Sequence, residues 1–415
     1  MPMLPPAPAP ARNPADRMIL TEWIPFVLAH VACLAAIWTG VHWADVAIFV
    51  ALYAVRMFAI TAGYHRYFSH RTFKTGRVFA FLLGFLAQSS AQRGVLWWAA
   101  NHRHHHRHSD TPEDVHSPVQ RGFWYSHVGW FFTARFAETD LAAVPDLAKH
   151  PELRWLDRHP YLPAVALGLA TFALAGWSGL VVGFLWSTVA LWHATFSINS
   201  LAHVFGRARY VTGDQSRNNW WLALLTFGEG WHNNHHHFQS AARQGFRWWE
   251  VDFSYYALKC LSAVGLVWGL RTPPAEVVRN EQKLGRAVIE RAAAHLAASF
   301  QAERIAADLR KSLAEKGARL DASVDELRDD LARILDDWQH KLDDRMETMR
   351  RALADFVQAV DLPAMPTAAD LRAKAGAMFA ATPSMNDIVE RARQLLIESA
   401  CRQVLAPVAA PARKR

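Results

Sequence analysis

Cysteine is scarce: Cys33, Cys260 and Cys401 are the only three in 415 residues, and they form no CxxC pair. That excludes a disulfide framework and a thiolate metal site, so any redox chemistry has to use other side chains. Charge is scarce as well. Only 20% of the residues are charged, against 52% hydrophobic residues and 18 tryptophans, which excludes an ordinary soluble chain of this length and points to a membrane protein. The N-terminal "MPMLPPAPAPARNPADR" holds prolines and arginines but no apolar core followed by a small-residue cleavage site. It reads as a disordered cytoplasmic tail over residues 1–17 and not as a signal peptide.

Four segments are long and apolar enough to span, about 18–38, 44–64, 160–178 and 180–203, since a hydrocarbon core of ~30 Å takes roughly 20 helical residues. They pair into two hairpins. The hairpin tips "TGVHWAD" and "GWSG" lack Lys and Arg, whereas Arg12, Arg17, Arg66, Arg71, Lys74, Arg154, Arg158, Arg207 and Arg209 flank the outer ends. Positive residues stay inside, so both termini and everything outside the hairpin tips are expected on the cytoplasmic side. A fifth apolar run at 78–87 is too short to span and suits an interfacial or buried helix. Arg56 stands inside the second span, where a charge is a site candidate. The expected fold is an all-α membrane protein with four transmembrane helices and a histidine-rich cytoplasmic cap, occupying residues 18–272. Beyond Pro273-Pro274, residues 275–415 alternate charge and alanine and keep only His295 and His340 of the 21 histidines. From Val324 to Val360 apolar residues recur every three or four positions, with a stutter near Trp338. This charged helical extension is read as coiled coil, for homo-oligomerisation or for packing back on the membrane part.

Histidine is abundant where cysteine is not. Three stretches, "HRYFSH" (65–70), "HRHHH" (102–106) and "HNNHH" (232–236), share the predicted cytoplasmic side. On a helix, positions i, i+3 and i+4 fall on one narrow arc. His102, His105 and His106 therefore converge while His104 and His108 point away, and the same geometry selects His232, His235 and His236 and rejects His237. His65 and His70 are five apart, a spacing that splays them on a regular helix unless it ends or unwinds between them. Asn199 and His203 in "NSLAH" share a face at the end of the fourth span. Nine convergent histidines exceed the four ligands of a structural zinc and fit two metals, with Asn199 acting through a water. Imidazole alone leaves iron, zinc, copper and nickel open. His30, His42, His127, His193 and His237 are read as ordinary polar contacts.

The boxes HxxxxH, HxxHH and HxxHH, with "NSLAH" before the last and "RGFWYSHVGW" (121–130) after the second, resemble the integral-membrane fatty acid desaturases, in particular the acyl-CoA Δ9 (stearoyl-CoA) branch. The likeness covers roughly residues 20–270. It implies two iron ions that use O2 as co-substrate to place a cis double bond, at Δ9, in a saturated acyl-CoA. Carried over position by position, it implies His65, His70, His102, His105, His106, His203, His232, His235 and His236 as ligands and Asn199 as the water-mediated one. The family's acyl-CoA members hold the CoA phosphates with basic residues. Here "WAANH" stands where an Arg-Asp pair usually precedes the first histidine of the second box, and only Arg135 remains of a later basic pair. Trp97, Trp98 and the 78–87 helix are assigned to the wall of an apolar tunnel, ordinary packing being the alternative for each tryptophan.

An unactivated methylene offers neither an acidic proton nor an electrophilic carbon, so a metal oxidant is required, and with it two electrons. With no GxGxxG after a strand and no cysteine cluster, the donor is expected to be external: a ferredoxin, a cytochrome b5-like protein or a reductase. Membrane lipid is a further partner and nucleic acid is not. Three alternatives stay open: a hydroxylase with the same boxes, a desaturase of phospholipid-bound chains, and a metal-binding scaffold without catalysis.

Overall fold

The computed structural model describes residues 17–301, 304–307 and 365–405. The heptad seam expected between 320 and 360, and all but the last residue of the expected N-terminal tail, lie outside them. The chain divides into two compact units, Met1–Gln282 and Lys283–Arg415.

In the first unit, α1 (Leu20–Ala32) continues through one 3₁₀ turn to Thr39, and Gly40, at φ 75°, reverses the chain. α2 (Trp43–Phe58) begins with a capping box: the His42 N–H donates to Asp45 Oδ2 at 3.3 Å, which satisfies a donor that the first helical turn leaves free. α2 runs on without a break into a π-helical segment, Ala59–Ser69. A short strand β1 (Lys74–Thr75) leads into α3 (Arg77–Gln88), which buries Ala80, Leu83 and Ala87 and leaves Val78 exposed. α4 (Val95–His108) carries the second histidine box, and α5 (Phe123–His127) follows it.

Where two spans were expected at 160–178 and 180–203, helical hydrogen bonding runs continuously over Leu162–His203: α6 (Leu162–Ser178), a π segment (Gly179–Trp186), α7 (Ser187–Ser200) and a 3₁₀ turn. A straight rod of that length would measure about 60 Å, twice a hydrocarbon core of ~30 Å. It is not straight. Gly176 sits at φ 62° and ψ −159°, outside helical space, in a conformation that favours glycine. Beyond it a Cβ at Gly168 would lie 3.2 Å from the Phe184 ring, so the two halves fold back on each other. Thr21–Thr39, Trp43–Ser69 and Leu162–His203 are the described helices long and apolar enough to cross a membrane, and the chain is an integral membrane protein. Arg56, fully buried in the second, donates to Thr188 Oγ1 at 2.7 Å, Ser187 Oγ at 2.5 Å and Leu52 O at 3.1 Å, which ties α2 to α7.

Beyond the last span come α8 (His232–His237), with the third box, and α9 (Phe253–Ala263). Strand β2 (Val267–Trp268) then pairs antiparallel with β1, Lys74 opposite Trp268, a two-residue ribbon in a mostly helical chain that fits the all-α expectation. Two residues per strand leave no alternation to read in the sequence; tertiary pairing makes the ribbon. The main core beneath the histidines joins the π segment, α3, α4 and residues 144–156. Phe68, Leu96 and Leu156 are fully buried there, and each such side chain contributes roughly 2 kcal/mol relative to exposure.

In the second unit α10 (Arg286–Ala298), α11 (Ala368–Met378) and α12 (Met385–Leu405) pack together. Small residues, Ala292, Ala293 and Ala375, let Leu371, Ile388 and Leu396 close the interior. Arg391 of α12 grips Glu290 of α10 with two bonds, 2.8 and 2.6 Å.

Candidate metal centre

The first box solves its spacing problem by widening. The helix unwinds to the π period across this box and ends at Ser69, as the spacing of His65 and His70 requires, and the His70 N–H donates to His65 O at 3.2 Å. An i→i+5 bond brings residues five apart over one another, which the α-helical period does not. The second box needs a rigid start. Gly94, the cap residue of α4, has no side chain to offer, so Asp157 Oδ1 accepts from the N–H groups of Leu96 (2.9 Å) and Trp97 (3.0 Å), while Gln88 Oε1 accepts from Val95 (3.1 Å). A Cβ at residue 94 would overlap Asp157, so glycine is required for that approach.

All nine histidines gather in two groups, each with its ring nitrogens within 4.8 Å of one another: His65, His70, His102, His106 and His235 in one, His105, His203, His232 and His236 in the other. The second box thus gives two rings to the first group and one to the second, and the third box gives one and two. His104 instead points to the Glu113 carbonyl at 2.9 Å and packs with a tilt against His108, and His237 stacks on Tyr210 at 4.2 Å. His30, His193 and His127 form a separate hydrogen-bonded row, 2.9 and 3.0 Å apart, in which both nitrogens of His193 are used in line and do not converge on one point.

Carboxylates orient the rings. His105 Nδ1 faces Asp114 at 2.8 Å, His203 Nδ1 faces Asp110 at 2.9 Å, His236 Nδ1 faces Asp214 at 2.7 Å and His65 Nδ1 faces Glu229 at 2.5 Å. An Nδ1–H donated to a carboxylate leaves a bare lone pair on Nε2. On that side the rings meet other imidazoles: His203 Nε2 lies 3.0 Å from His232 Nε2, and His65 Nε2 lies 2.9 Å from His235 Nε2. His105 Nε2 and His236 Nε2 are buried with no hydrogen-bond partner. Converging buried ring nitrogens, some of them orphaned, fit a divalent cation in each group, and an all-imidazole set accommodates iron as it does zinc, copper and nickel.

Burial, together with neighbouring imidazoles, holds His70, His102, His106, His232 and His235 well below the usual 6.5, so these rings are neutral and able to ligate. Burial alone would raise Asp114 and Asp214, but His105 and His236 respectively bring both below the ordinary carboxylate range.

Asn199, Trp98, His102 and His116 line one narrow cavity with Gln92 and Thr195, whose side chains bond across it at 3.0 Å. Trp98 stacks on His102, centroids 4.7 Å apart. Arg135 is exposed over the Phe136 ring and does not line that cavity. A wider cavity of about 390 Å³, with Arg71, Lys74 and Arg271 in its wall, touches no histidine of either group.

Sequence reasoning missed Asp110, Asp114, Asp214, Glu229 and His116. His116 is buried, with its ring 4.2 Å from that of His105, and forms a third cluster with His105 and Asp114. A usable signal existed: buried imidazoles need acceptors for Nδ1, and "SDTPED" and "GEGWH" put acids directly after the second box and before the third.

The profile of the family described as fatty acid desaturase matches residues 41–259. An sn-1 stearoyl-lipid 9-desaturase of Anabaena variabilis is 38% identical over 249 residues, 59% of this chain and 91% of that protein. An acyl-CoA 5-desaturase of Anemone leveillei is 37% identical over 252 residues, 59% of this chain and 77% of that protein. A hex-5-enoyl-acyl-carrier-protein acetylenase of Moorena producens is 34% identical over 285 residues, 64% of this chain and 88% of that protein.

Proposed function

Since the chain belongs to the fatty acid desaturase family, we propose that it inserts a cis double bond at Δ9 of a saturated acyl chain, using two iron ions, O2 and two electrons from an external donor. The observation that carries this reading is the meeting of the buried ring nitrogens of nine histidines in two groups. In this account those histidines are the ligands and Asn199 acts through a water. Iron held by those histidines would supply the oxidising power to remove one hydrogen from each of two adjacent methylenes, O2 being reduced to two waters with the donor's two electrons and two protons.

The protein's own part is placement and exclusion. Asp110, Asp114, Asp214 and Glu229 fix ring orientation, and the stacking of Trp98 on His102 aligns a wall of the cavity with a ligand. The Gln92–Thr195 bond closes part of the wall past which an acyl chain would have to run to reach His102. The reading takes four membrane passes, the backbone turning at Gly40 and at Gly176, with the histidines and both termini on the cytoplasmic side. Residues 18–272 form the desaturase domain in this account and 275–415 a helical extension available for self-association.

The first reading of the carrier is CoA. A second, a chain esterified in membrane lipid, is favoured by the segment where CoA phosphates would be held. Arg121 there is engaged with Tyr125 at 3.0 Å, Arg135 lies over Phe136, and Trp124 is 75% exposed. The Anabaena relative's name also specifies a lipid substrate and position 9.

Iron content of the purified chain, with reductant-dependent O2 consumption in the presence of saturated acyl substrate, separates an enzyme from a metal-holding scaffold. Two irons and substrate-stimulated consumption are expected; bound metal with no consumption under any reductant overturns the enzymatic reading.

A further inference from the structure

We propose that the two histidine groups are unequal metal positions: Asp110, Asp114 and Asp214 make the four-histidine group the tighter one, so that it fills first and empties last. The inference rests on the two-metal reading above and extends it to the order of occupancy.

In the four-histidine group three of the four rings give their Nδ1–H to a buried carboxylate, at 2.7 to 2.9 Å. In the five-histidine group the recorded carboxylate partner is Glu229, on His65. A carboxylate on Nδ1 makes Nε2 a better donor to metal and holds the ring in its ligating orientation. His106 and His235, both in the five-histidine group, instead have buried Nδ1 atoms with no partner, so nothing on that side fixes their rings; His232 is the one such ring in the other group.

Charge acts in the same direction. Glu229 also accepts from Arg66, Nε at 3.2 Å and Nη2 at 3.0 Å, and Arg66 reaches Asp252 at 2.9 Å. Two acids against one guanidinium leave a single negative charge beside the five-histidine group. Beside the other stand three aspartates, whose remaining bonds come from hydroxyls and backbone N–H groups. Asp110 accepts from Ser117 Oγ at 2.6 Å and Gln215 N at 2.7 Å, Asp114 from Asp110 N at 2.8 Å, and Asp214 from Thr212 Oγ1 at 2.6 Å and Ser216 N at 3.0 Å. These bonds anchor the carboxylates without metal, so the position is pre-organised. For a dication in a weakly polar interior, two further negative charges and three oriented rings outweigh one additional imidazole.

The test uses the full-length protein in detergent, stripped of metal and titrated with Co²⁺, read by visible absorption and by competition with a chelator. The expected result is two steps at least about ten-fold apart in affinity, since one orienting partner alone changes metal affinity by about 10- to 100-fold. His232→Ala should delete the tight step and His70→Ala the weak one. Asp110→Asn is the finest probe. Its amide oxygen still accepts from His203 and Gln215, so the ring stays oriented, while the charge and the bond from Ser117 Oγ, which already accepts from the Val119 and Gln120 N–H groups, are lost. That variant should weaken the first step by about ten-fold or more and leave the second unchanged. Glu229→Gln, the converse variant, should weaken the second step alone. Two equal steps in the wild type, loss of the tight step in His70→Ala, or an unaltered first step in Asp110→Asn would overturn the proposal. A wild type that saturates at one Co²⁺ sinks the two-metal reading instead, which is a separate outcome.

Discussion

Replacing Asp157 by alanine removes the acceptor that starts the second-box helix from sixty residues away. Asp157 Oδ1 takes the N–H groups of Leu96 and Trp97 at 2.9 and 3.0 Å, and Oδ2 takes the Thr139 hydroxyl at 2.8 Å. Losing a cap costs about 1–2 kcal/mol, and losing a negative charge at a helix N-terminus about 0.3–1 kcal/mol more. The Thr139 bond adds about 1 kcal/mol. The sum is about 3 kcal/mol, which in a unit of this size lowers the melting temperature by roughly 6–12 °C. Because His102 lies only one and a half turns beyond the capped groups, iron retention should fall as well, though not to zero. Asp157→Asn keeps one oxygen to accept from the Leu96 and Trp97 N–H groups, turns the other into an NH2 facing Thr139, and should lose about half as much, while Gly94→Ala, which pushes a Cβ into Asp157, should resemble the alanine variant. Thermal melting in detergent with metal analysis reads all three. An Asp157→Ala protein that melts and binds iron like wild type refutes the cap and its link to the site.

Three further outcomes follow from the same geometry. His105→Ala should lose iron and activity whereas His104→Ala, whose ring bonds the Glu113 carbonyl at the rim, should keep most of both, and equal metal loss would mean that the helix faces are misassigned. The metal-free protein should lose stability as pH falls from 7.5 to 5.5: His70, His102, His106, His232 and His235 are held below 6.5 when folded, so the unfolded chain binds more protons in that window, at up to about 1.4 kcal/mol per histidine and pH unit. A melting temperature flat across it contradicts their burial as neutral rings. A chain ended after Gln282, which retains the buried Val277 beside Tyr210 and Phe246, should keep its full metal stoichiometry; iron missing from a stably inserted truncation would make the second unit part of the site's support.

How much was legible in the sequence depended on whether one period governed the residues concerned. His102, His105 and His106 obey the α-helical arc, so their shared face is readable from spacing alone, as is the outward turn of His104, but the division that sends His105 to the other group is not. His65 and His70 do not obey it, because the segment that carries them is π-helical and no composition signal marks the widening. The first two spans were readable to within a few residues from apolar length. The reversal at Gly176 is one non-helical residue inside an otherwise unbroken apolar run, so hydrogen bonding continues where the sequence suggests a gap. Asp110, Asp114 and Glu229 stand close to the boxes and carried a signal that the spacing argument did not use, whereas Asp214 had none, since it lies 22 positions from the His236 it holds. Asp157 is hidden for the same reason, since a cap supplied by another segment has no local signature.

Desaturation at carbon 9 is tested most directly by the product. Stearoyl chains supplied in parallel as the CoA thioester and esterified in lipid vesicles, with O2 and a reductant, are followed by mass spectrometry of the recovered acyl pool. The account predicts loss of two hydrogens and a cis-9 double bond from at least one of the two carriers, and the reactive carrier chooses between the two substrate readings. A product that instead keeps one oxygen atom from labelled O2 is an alcohol, and it would contradict the account in favour of hydroxylation.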